Sequence, residues 1–193
     1  IKSRNVIAHI RKATQGKITL ENSHPFIREL WGRQWIFAHN GDLHNFHPHL
    51  SGRFTPVGST DSELAFCYLL EQLVLRFGYF EPSLNDVFAL LEEISPKIAE
   101  YGTFNFCLSN GQALFSYATT KLHWIVREYP FTYARLVDID VDIDFSQFTT
   151  KEDRVAVITT EPLTQNEVWT AYQPGEMILF KDGQVIKTAT THV

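Results

Sequence analysis

The sequence is poor in sulfur and has no long hydrophobic run. It contains two cysteines and one methionine among 193 residues. One cysteine lies in a helical pattern and the other in a strand pattern, so no disulfide framework is expected, and a reducing, cytoplasmic location is favoured. No apolar run approaches the ~20 residues that a membrane-spanning helix needs. No signal peptide is visible either, and we expect no association with a membrane.

Clusters of positive charge are also missing. The net charge is −5, and no group of lysines and arginines stands out, which argues against a nucleic-acid-binding surface. The sequence is 44% hydrophobic and 20% charged, as in soluble globular proteins. Its length is most simply that of one domain covering residues 1–193, large enough for a sizeable core.

The amino-terminal third alternates short strands with loops. Residues 5–10 have a strand pattern, and residues 12–34 are predicted to be mostly loop. Residues 35–38 predict a short apolar strand that ends at Asn40-Gly41. Functional residues often lie on the loops that follow strands, and a polar motif at a strand end is therefore a candidate.

Two helices follow. Thr60 and Glu63 have the spacing of a capping box, and the apolar residues after them recur at helical spacing until Gly78. A second helix begins near Ser83, and Pro96 is expected to kink or split it.

From Thr103 onward the pattern is β. Asn110-Gly111 and Asp182-Gly183 each separate two strand-like runs and predict hairpins. Two central helices followed by antiparallel strands predict an α+β fold.

Three motifs occur in order along the chain. They are His9-Ile10-Arg11-Lys12-Ala13-Thr14-Gln15-Gly16, Ala38-His39-Asn40-Gly41-Asp42 and Ser59-Thr60-Asp61-Ser62-Glu63. Together they resemble the glutaminase domain of class II glutamine amidotransferases, which are N-terminal-nucleophile hydrolases. The likeness continues through Asn22-Ser23-His24-Pro25-Phe26, Phe104-Asn105-Phe106 and Pro162-Leu163-Thr164, which also resemble the small single-domain bacterial members. The resemblance implies a four-layer α-β-β-α sandwich, with the first strands missing from this sequence.

The resemblance also implies a nucleophile that this sequence does not contain. In the family it is a cysteine at the mature amino terminus, whereas this chain begins with Ile1. Cys67 and Cys107 are predicted to be inert core residues. We therefore expect the chain to be the later part of a longer protein that supplies the cysteine.

The substrate-binding residues implied by the resemblance are Arg11, Thr14, Gln15 and Asp61. A guanidinium at Arg11 presents a planar fork that can bind the α-carboxylate of glutamine through two parallel bonds. Thr14 and Gln15 fall where the family also contacts that carboxylate, although many members have histidine in place of Gln15. Asp61 would pair with the α-ammonium group. Taken alone, Arg11 could be an ordinary surface arginine, and Asp61 could be an acid favoured by the helix dipole.

Asn40 and Gly41 would form the oxyanion hole through the Asn40 side-chain amide and the Gly41 backbone N–H. Losing one such donor typically lowers the rate by ~10²–10³-fold. The alternative is a tight turn, because Asn-Gly is a common turn dipeptide. Asn110-Gly111 is interpreted as only a turn, and the flanking sequence distinguishes the two.

Histidines also cluster within eleven residues of the sequence, at positions 39, 44, 47 and 49. We interpret this segment as a solvated polar loop near the pocket mouth, because the helical H-E-x-x-H motif and a suitably spaced carboxylate are missing. Zinc binding is the minority alternative, and no metal or cofactor is predicted.

The expected activity is hydrolysis of the γ-carboxamide of glutamine through a cysteine thioester. A separate ammonia-accepting protein is a possible partner. Hydrolysis of γ-glutamyl peptides, and a non-catalytic glutamine-binding or assembly module, are the alternatives.

Overall fold

The computed structural model describes residues 3–10 and 19–192. These residues contain eleven strands and two α-helices. In chain order they are β1 (Phe26–Leu30), β2 (Arg33–Leu43), α1 (Asp61–Phe77), α2 (Leu84–Ala99), β3 (Gly102–Ser109), β4 (Leu114–Ala118), β5 (His123–Glu128), β6 (Tyr133–Arg135), β7 (Asp142–Asp144), β8 (Arg154–Thr159), β9 (Thr170–Ala171), β10 (Glu176–Lys181) and β11 (Gln184–Thr190). None of the helices in this part of the chain has the length and apolar character that crossing a membrane requires.

The strands pair antiparallel in three sheets. The largest sheet has the order β1-β2-β3-β4-β10-β11, and a three-stranded sheet has the order β8-β5-β9. Strands β6 and β7 form a separate two-stranded ribbon. Segregated helices and antiparallel sheets confirm the α+β class.

The central strands of the large sheet are buried on both faces. In β4, Phe115 and Tyr117 pack in the cluster that contains the residues of α1 and α2. Leu114 and Ala118 pack instead with Trp124 of the three-stranded sheet. The layer order is therefore α-β-β. The described residues form three of the four layers of the expected N-terminal-nucleophile hydrolase sandwich.

Local end signals correctly predicted the limits of α1. The Thr60 hydroxyl accepts a hydrogen bond from the Glu63 backbone N–H, and Gly78 ends the helix with φ of 65°. The second half of the expected capping box is wrong, because the buried Glu63 carboxylate accepts from the amides of Val57 and Gly58 and pairs with Arg28 instead.

One strand prediction was wrong, and one strand was missed. Residues 5–10 have no regular secondary structure, because no strand of the described residues pairs with them; Ile7 is held by packing between the sheets. Conversely, part of the expected loop at residues 12–34 forms β1. Trp31 and Gly32, with φ of 56° and 73°, make the tight turn from β1 into β2.

The expected break at Pro96 is also absent, since α2 runs through it to Ala99. Pro96 lies in the last turn of the helix, so its missing N–H removes one helical hydrogen bond close to the helix end and leaves the preceding turns intact.

Candidate active site

Asn40 and Gly41 lie inside a strand, which corrects the prediction that the strand ends there. Strand β2 continues to Leu43, with Asn40 opposite Asn105 of β3 and Gly41 opposite Phe104. The tight-turn interpretation therefore does not apply to this dipeptide.

The second Asn-Gly pair behaves as predicted. Asn110 follows β3, and its Oδ1 accepts hydrogen bonds from the backbone N–H groups of Gln112 and Ala113. Gly111 has φ of 83°, a left-handed conformation that favours glycine. Identical dipeptides thus have different conformations, set by their surroundings.

Gly41 is required by close packing of the backbone. A Cβ atom at this position would overlap the backbone oxygen of Thr103 and lie 2.6 Å from Nε2 of His39. Because nothing larger than hydrogen fits on this Cα, the strand can approach β3 closely only with glycine here.

The Asn40 side chain is exposed and lies where the two main sheets meet. Its Nδ2 donates to Oγ1 of Thr160, directly after β8, at 2.9 Å. Its backbone oxygen accepts from Nδ2 of Asn105 at 3.0 Å. Asn40 is therefore held through its side chain by the residue after β8 and through its backbone by β3, while its side chain stays open to solvent.

Asp61 brings the start of α1 onto the same strand. It is the first residue of the helix, and its Oδ2 accepts from the backbone N–H of Leu43 at 2.8 Å. Leu43 lies two residues after Gly41, so the carboxylate lies beside the strand that carries Asn40 and Gly41. The geometry fits both a helix-start acid and a group that faces a ligand.

Arg11, Thr14 and Gln15 lie outside the described residues. The chain before them reaches this region. The rings of His9 and His24 lie 4.3 Å apart between centroids, and His9 is close enough to His39 to affect its pKa.

His39 corrects the prediction of a solvated histidine loop. Its side chain is buried, whereas His44, His47 and His49 are exposed. The carbonyl of Thr103 can only accept, so His39 Nε2–H donates to it at 2.9 Å, and the Ser62 hydroxyl donates to Nδ1 at 2.8 Å.

Burial lowers the pKa of His39, outweighing the hydrogen bond to Thr103 and the attraction of Asp61, which raise it. The imidazole is thus neutral near pH 7. It joins β2, β3 and α1 beside Gly41 without carrying charge.

Both thiols are poor nucleophiles, as predicted. Cys67 is fully buried on α1, and Cys107 packs between the sheets. Burial raises the pKa of Cys67 to about 11 and the pKa of Cys107 to about 12. Neither is ionised at neutral pH. Within residues 3–10 and 19–192, no group of three or more metal-ligating side chains could hold a metal ion.

The sequence profile of the class II glutamine amidotransferases matches residues 1–193, the whole chain. The chain belongs to this family. Among its relatives, the YafJ protein of Escherichia coli is 48% identical over 184 residues, which are 95% of this chain and 72% of YafJ. A Haemophilus influenzae protein, provisionally named as a glutamine amidotransferase, is 49% identical over 96% of this chain. The chain spans 63% of the length of that relative.

A solved structure supports the fold of this amidotransferase chain. The 2.0 Å crystal structure of a predicted glutamine amidotransferase from Pseudomonas aeruginosa superposes with a TM-score of 0.82 at 46% sequence identity. The match covers 93% of this chain and 70% of the Pseudomonas chain.

Sequence reasoning gave no role to Asn105 or Thr160, the two residues that hold Asn40. Asn105 carried two signals: it lies in Phe104-Asn105-Phe106, a segment of the family resemblance, and it is a polar residue in an apolar strand, where the structure buries it. Such a residue needs hydrogen-bond partners. Thr160 carried none, because it contacts Asn40 across 120 residues of sequence.

Proposed function

We propose that the full-length protein containing this chain hydrolyses the γ-carboxamide of glutamine, or of a γ-glutamyl compound, through a cysteine thioester. One observation carries the proposal. In this class II amidotransferase chain, Asn40 and Gly41 lie on the same strand as Leu43, whose backbone N–H binds the Asp61 carboxylate. The two proposed oxyanion donors on β2 therefore lie near the Asp61 carboxylate of α1, which is bound to the same strand.

The nucleophile would be an N-terminal cysteine outside this sequence, because both thiols inside it have strongly raised pKa values. Its thiolate would attack the carbonyl carbon of the γ-carboxamide, and its own α-amine would carry the thiol proton to the leaving nitrogen. The C–N bond breaks and ammonia leaves. Water then cleaves the γ-glutamyl thioester, releasing glutamate and regenerating the thiol.

The tetrahedral oxyanion would receive hydrogen bonds from Nδ2 of Asn40 and from the backbone N–H of Gly41. Both groups belong to a strand held on one side by β3, so little reorganisation is needed as charge develops. The exposure of Asn40 supports this role, because a ligand can reach the amide from solvent.

Binding of the amino-acid end would use opposite charges. Arg11 would pair with the α-carboxylate, with Thr14 and Gln15 beside it, and Asp61 would pair with the α-ammonium group. Holding both charged groups places the carbonyl carbon of the γ-carboxamide close to the thiolate, and such positioning supplies a large part of the rate gain in enzymes.

The test is hydrolysis of L-glutamine by the full-length protein, followed as glutamate release. Asn40→Ala is expected to lower kcat by ~10²–10³-fold. Asp61→Asn is expected to raise KM, because it removes the charge that pairs with the ammonium group. Asp86→Asn changes a carboxylate in the first turn of α2 and serves as the matched control. Wild-type kinetics in Asn40→Ala would overturn the proposal.

The substrate class is decided by comparing kcat/KM for glutamine with kcat/KM for γ-glutamyl peptides. A strong preference for peptides would indicate a γ-glutamyl amidohydrolase and exclude delivery of ammonia to a separate acceptor protein. Binding of glutamine in calorimetry without any release of glutamate would indicate a binding module instead.

A further inference from the structure

Asn105 is a buried amide with every hydrogen-bonding group engaged. Its Nδ2 donates to the backbone oxygen of Asn40 at 3.0 Å and to Oγ1 of Thr120 at 2.9 Å. Its Oδ1 accepts from the backbone N–H groups of Thr119 and Thr120 at 2.9 and 3.0 Å. An amide has two donor hydrogens and two acceptor lone pairs, so its capacity is used completely.

These bonds join strand β3 to two other parts of the chain. Thr119 and Thr120 form the connection between β4 and β5, and this connection is bound again where Oγ1 of Thr119 accepts from the Phe104 backbone N–H. Asn105 therefore fixes the connection and the backbone of Asn40 with one rigid, planar group.

The other side of Asn40 is held through Thr160. The Asn40 amide donates to Oγ1 of Thr160, and Nδ1–H of His123 donates to the Thr160 backbone oxygen at 3.0 Å. His123 begins β5, three residues after Thr120. The contacts form a closed circuit from Asn40 through Asn105, the β4–β5 connection, His123 and Thr160 back to Asn40.

We propose that Asn105 is a positioning residue for Asn40, and that Thr160 completes its orientation. The inference rests on the proposed function, in which the Asn40 amide stabilises the oxyanion. One amide hydrogen is committed to Thr160, and the amide is planar, so the direction of the second hydrogen, which would bind the oxyanion, is fixed. Asn105 sets the position of the backbone from which that amide projects.

The size of the effect follows from the geometry that an oxyanion hole demands. Donors stabilise the developing charge only at hydrogen-bonding distance from it, and a displacement of about 1 Å can lower the rate by ~10²-fold. Loss of Asn105 should therefore reduce kcat, while the charged contacts that bind the amino-acid end of the substrate remain.

Asn105→Asp in the full-length protein is the direct test. The change keeps Oδ1 as the acceptor for Thr119 and Thr120 but replaces the donor to the Asn40 oxygen with a second acceptor. With L-glutamine as substrate, we expect kcat to fall by ~10–10²-fold and KM to stay within about threefold.

Asn110→Asp is the matched control. Asn110 is also buried at the end of β3, and its Oδ1 also accepts two backbone amides, but it lies in the β3–β4 turn. The kcat of Asn110→Asp is expected to equal the wild-type value. An equal loss in both variants would show that Asn105 acts only through general stability and would overturn the inference.

A double variant separates positioning from an unrelated effect. If Asn105 acts through Asn40, the loss in Asn40→Ala/Asn105→Asp should be well below the product of the two single losses, because only the Gly41 N–H, in the same peptide unit as the Asn40 oxygen, is left to position. Multiplication of the two losses would overturn the inference. A slow Asn40→Ala together with a normal Asn105→Asp would overturn it too, leaving the proposed function intact.

Thr160 provides a test that does not depend on how well Asn105→Asp folds. Thr160→Val keeps the shape of the side chain but removes the acceptor, and it should lower kcat with little change in KM. Thr160→Ser keeps the hydroxyl and should restore most of kcat. Equal rates in the two variants would contradict the circuit. A wild-type protein that hydrolyses neither glutamine nor γ-glutamyl peptides would overturn the proposed function and this inference together.

Discussion

Among the single residues of the site, Gly41 has the least room for change. An added methyl group meets the Thr103 backbone oxygen, which cannot move without separating β2 from β3. We therefore predict that Gly41→Ala destabilises the protein by about 1–3 kcal/mol through overpacking. It should also lower kcat strongly, because the backbone N–H of the same residue is displaced. Urea unfolding and glutamine hydrolysis measure the two effects.

Gly111→Ala is the control that separates the effect of Gly41→Ala on stability from its effect on kcat. Gly111 has φ of 83° and open space around it, so alanine there strains the backbone without a steric overlap. Its cost in stability should be about 1 kcal/mol or more, with kcat unchanged. Full activity in Gly41→Ala would show that the close contact with Thr103 does not constrain the site.

His39 gives the site a dependence of stability on pH. Its pKa in the folded protein lies below the ordinary value near 6.5, so the unfolded chain binds its proton first as the pH falls. The stability of the wild type should therefore decrease below about pH 6.5. His39→Gln lacks this contribution. As the pH falls, the difference in the free energy of unfolding between wild type and His39→Gln should therefore narrow by about 1.4 kcal/mol for each unit by which the pKa of His39 is lowered.

Urea unfolding at a series of pH values measures that gap. The exposed His49 is the control, and His49→Gln should change the free energy of unfolding by no more than about 0.5 kcal/mol. A gap between wild type and His39→Gln that stays constant from about pH 8 to pH 5 would contradict a buried, neutral imidazole.

The sequence identified the proposed chemical groups better than the groups that hold them. Asn40, Gly41 and Asp61 were marked by motifs that lie close together along the chain. Their supports come from distant segments: Asn40 is held by Thr160 and Asp61 by Leu43. Single-sequence patterns report neighbours along the chain, so contacts made only by folding stay invisible to them.

Among the helices and strands, the predictions that succeeded depended on neighbours along the chain, and those that failed depended on contacts made by folding. The limits of α1 were predicted because Thr60 and Gly78 act on the backbone within one turn. Strand β1 was missed because its sequence, Phe26-Ile27-Arg28-Glu29-Leu30, has two charged residues in five. The segment forms a strand because it pairs with β2. Its Arg28 makes an ion pair with the buried Glu63 of α1.

One ion pair anchors the segment after β8. Arg127 of β5 binds both carboxylate oxygens of Glu167 at 2.7 and 2.6 Å, and both side chains are largely buried. Thr164 donates to the same carboxylate and accepts from Trp169. The segment from Thr164 to Trp169 is therefore fixed to the three-stranded sheet through one carboxylate.

We predict that Arg127→Met destabilises the protein by about 3 kcal/mol, because it leaves the Glu167 carboxylate buried without its partner. The double variant Arg127→Met/Glu167→Leu should recover part of this loss, since no unpaired charge remains. Thermal or urea unfolding measures both.

The exposed pair of Arg76 and Glu93, at 2.7 Å, is the control for burial. Arg76→Met should cost much less stability than Arg127→Met, because solvent screens the pair. Equal costs for Arg76→Met and Arg127→Met would contradict the anchoring role of the buried pair.

On the scale of the whole molecule, the two hydrophobic clusters share strands. Adjacent residues of β10 point to opposite faces, with Leu179 in the cluster beneath the helices and Ile178 in the cluster between the sheets. The candidate site lies at the edge of this junction, where Asn40 of one sheet meets Thr160 after a strand of the other. Layers that share their central strands should unfold together.

We therefore predict that Ile178→Ala, which leaves a cavity only between the sheets, destabilises α1 on the opposite face. The expected cost is about 2–5 kcal/mol. Hydrogen exchange measured by mass spectrometry should show faster exchange in peptides from both α1 and β8. Ile186→Ala, on the exposed side of β11, is the matched control and should change the free energy of opening measured by exchange by no more than about 0.5 kcal/mol.

Faster exchange confined to β8 would mean that the sheets separate while the helix layer stays folded. The proposed oxyanion donor on β2 and its support on Thr160 would then belong to separately unfolding units, and their alignment would not be secured by the fold as a whole.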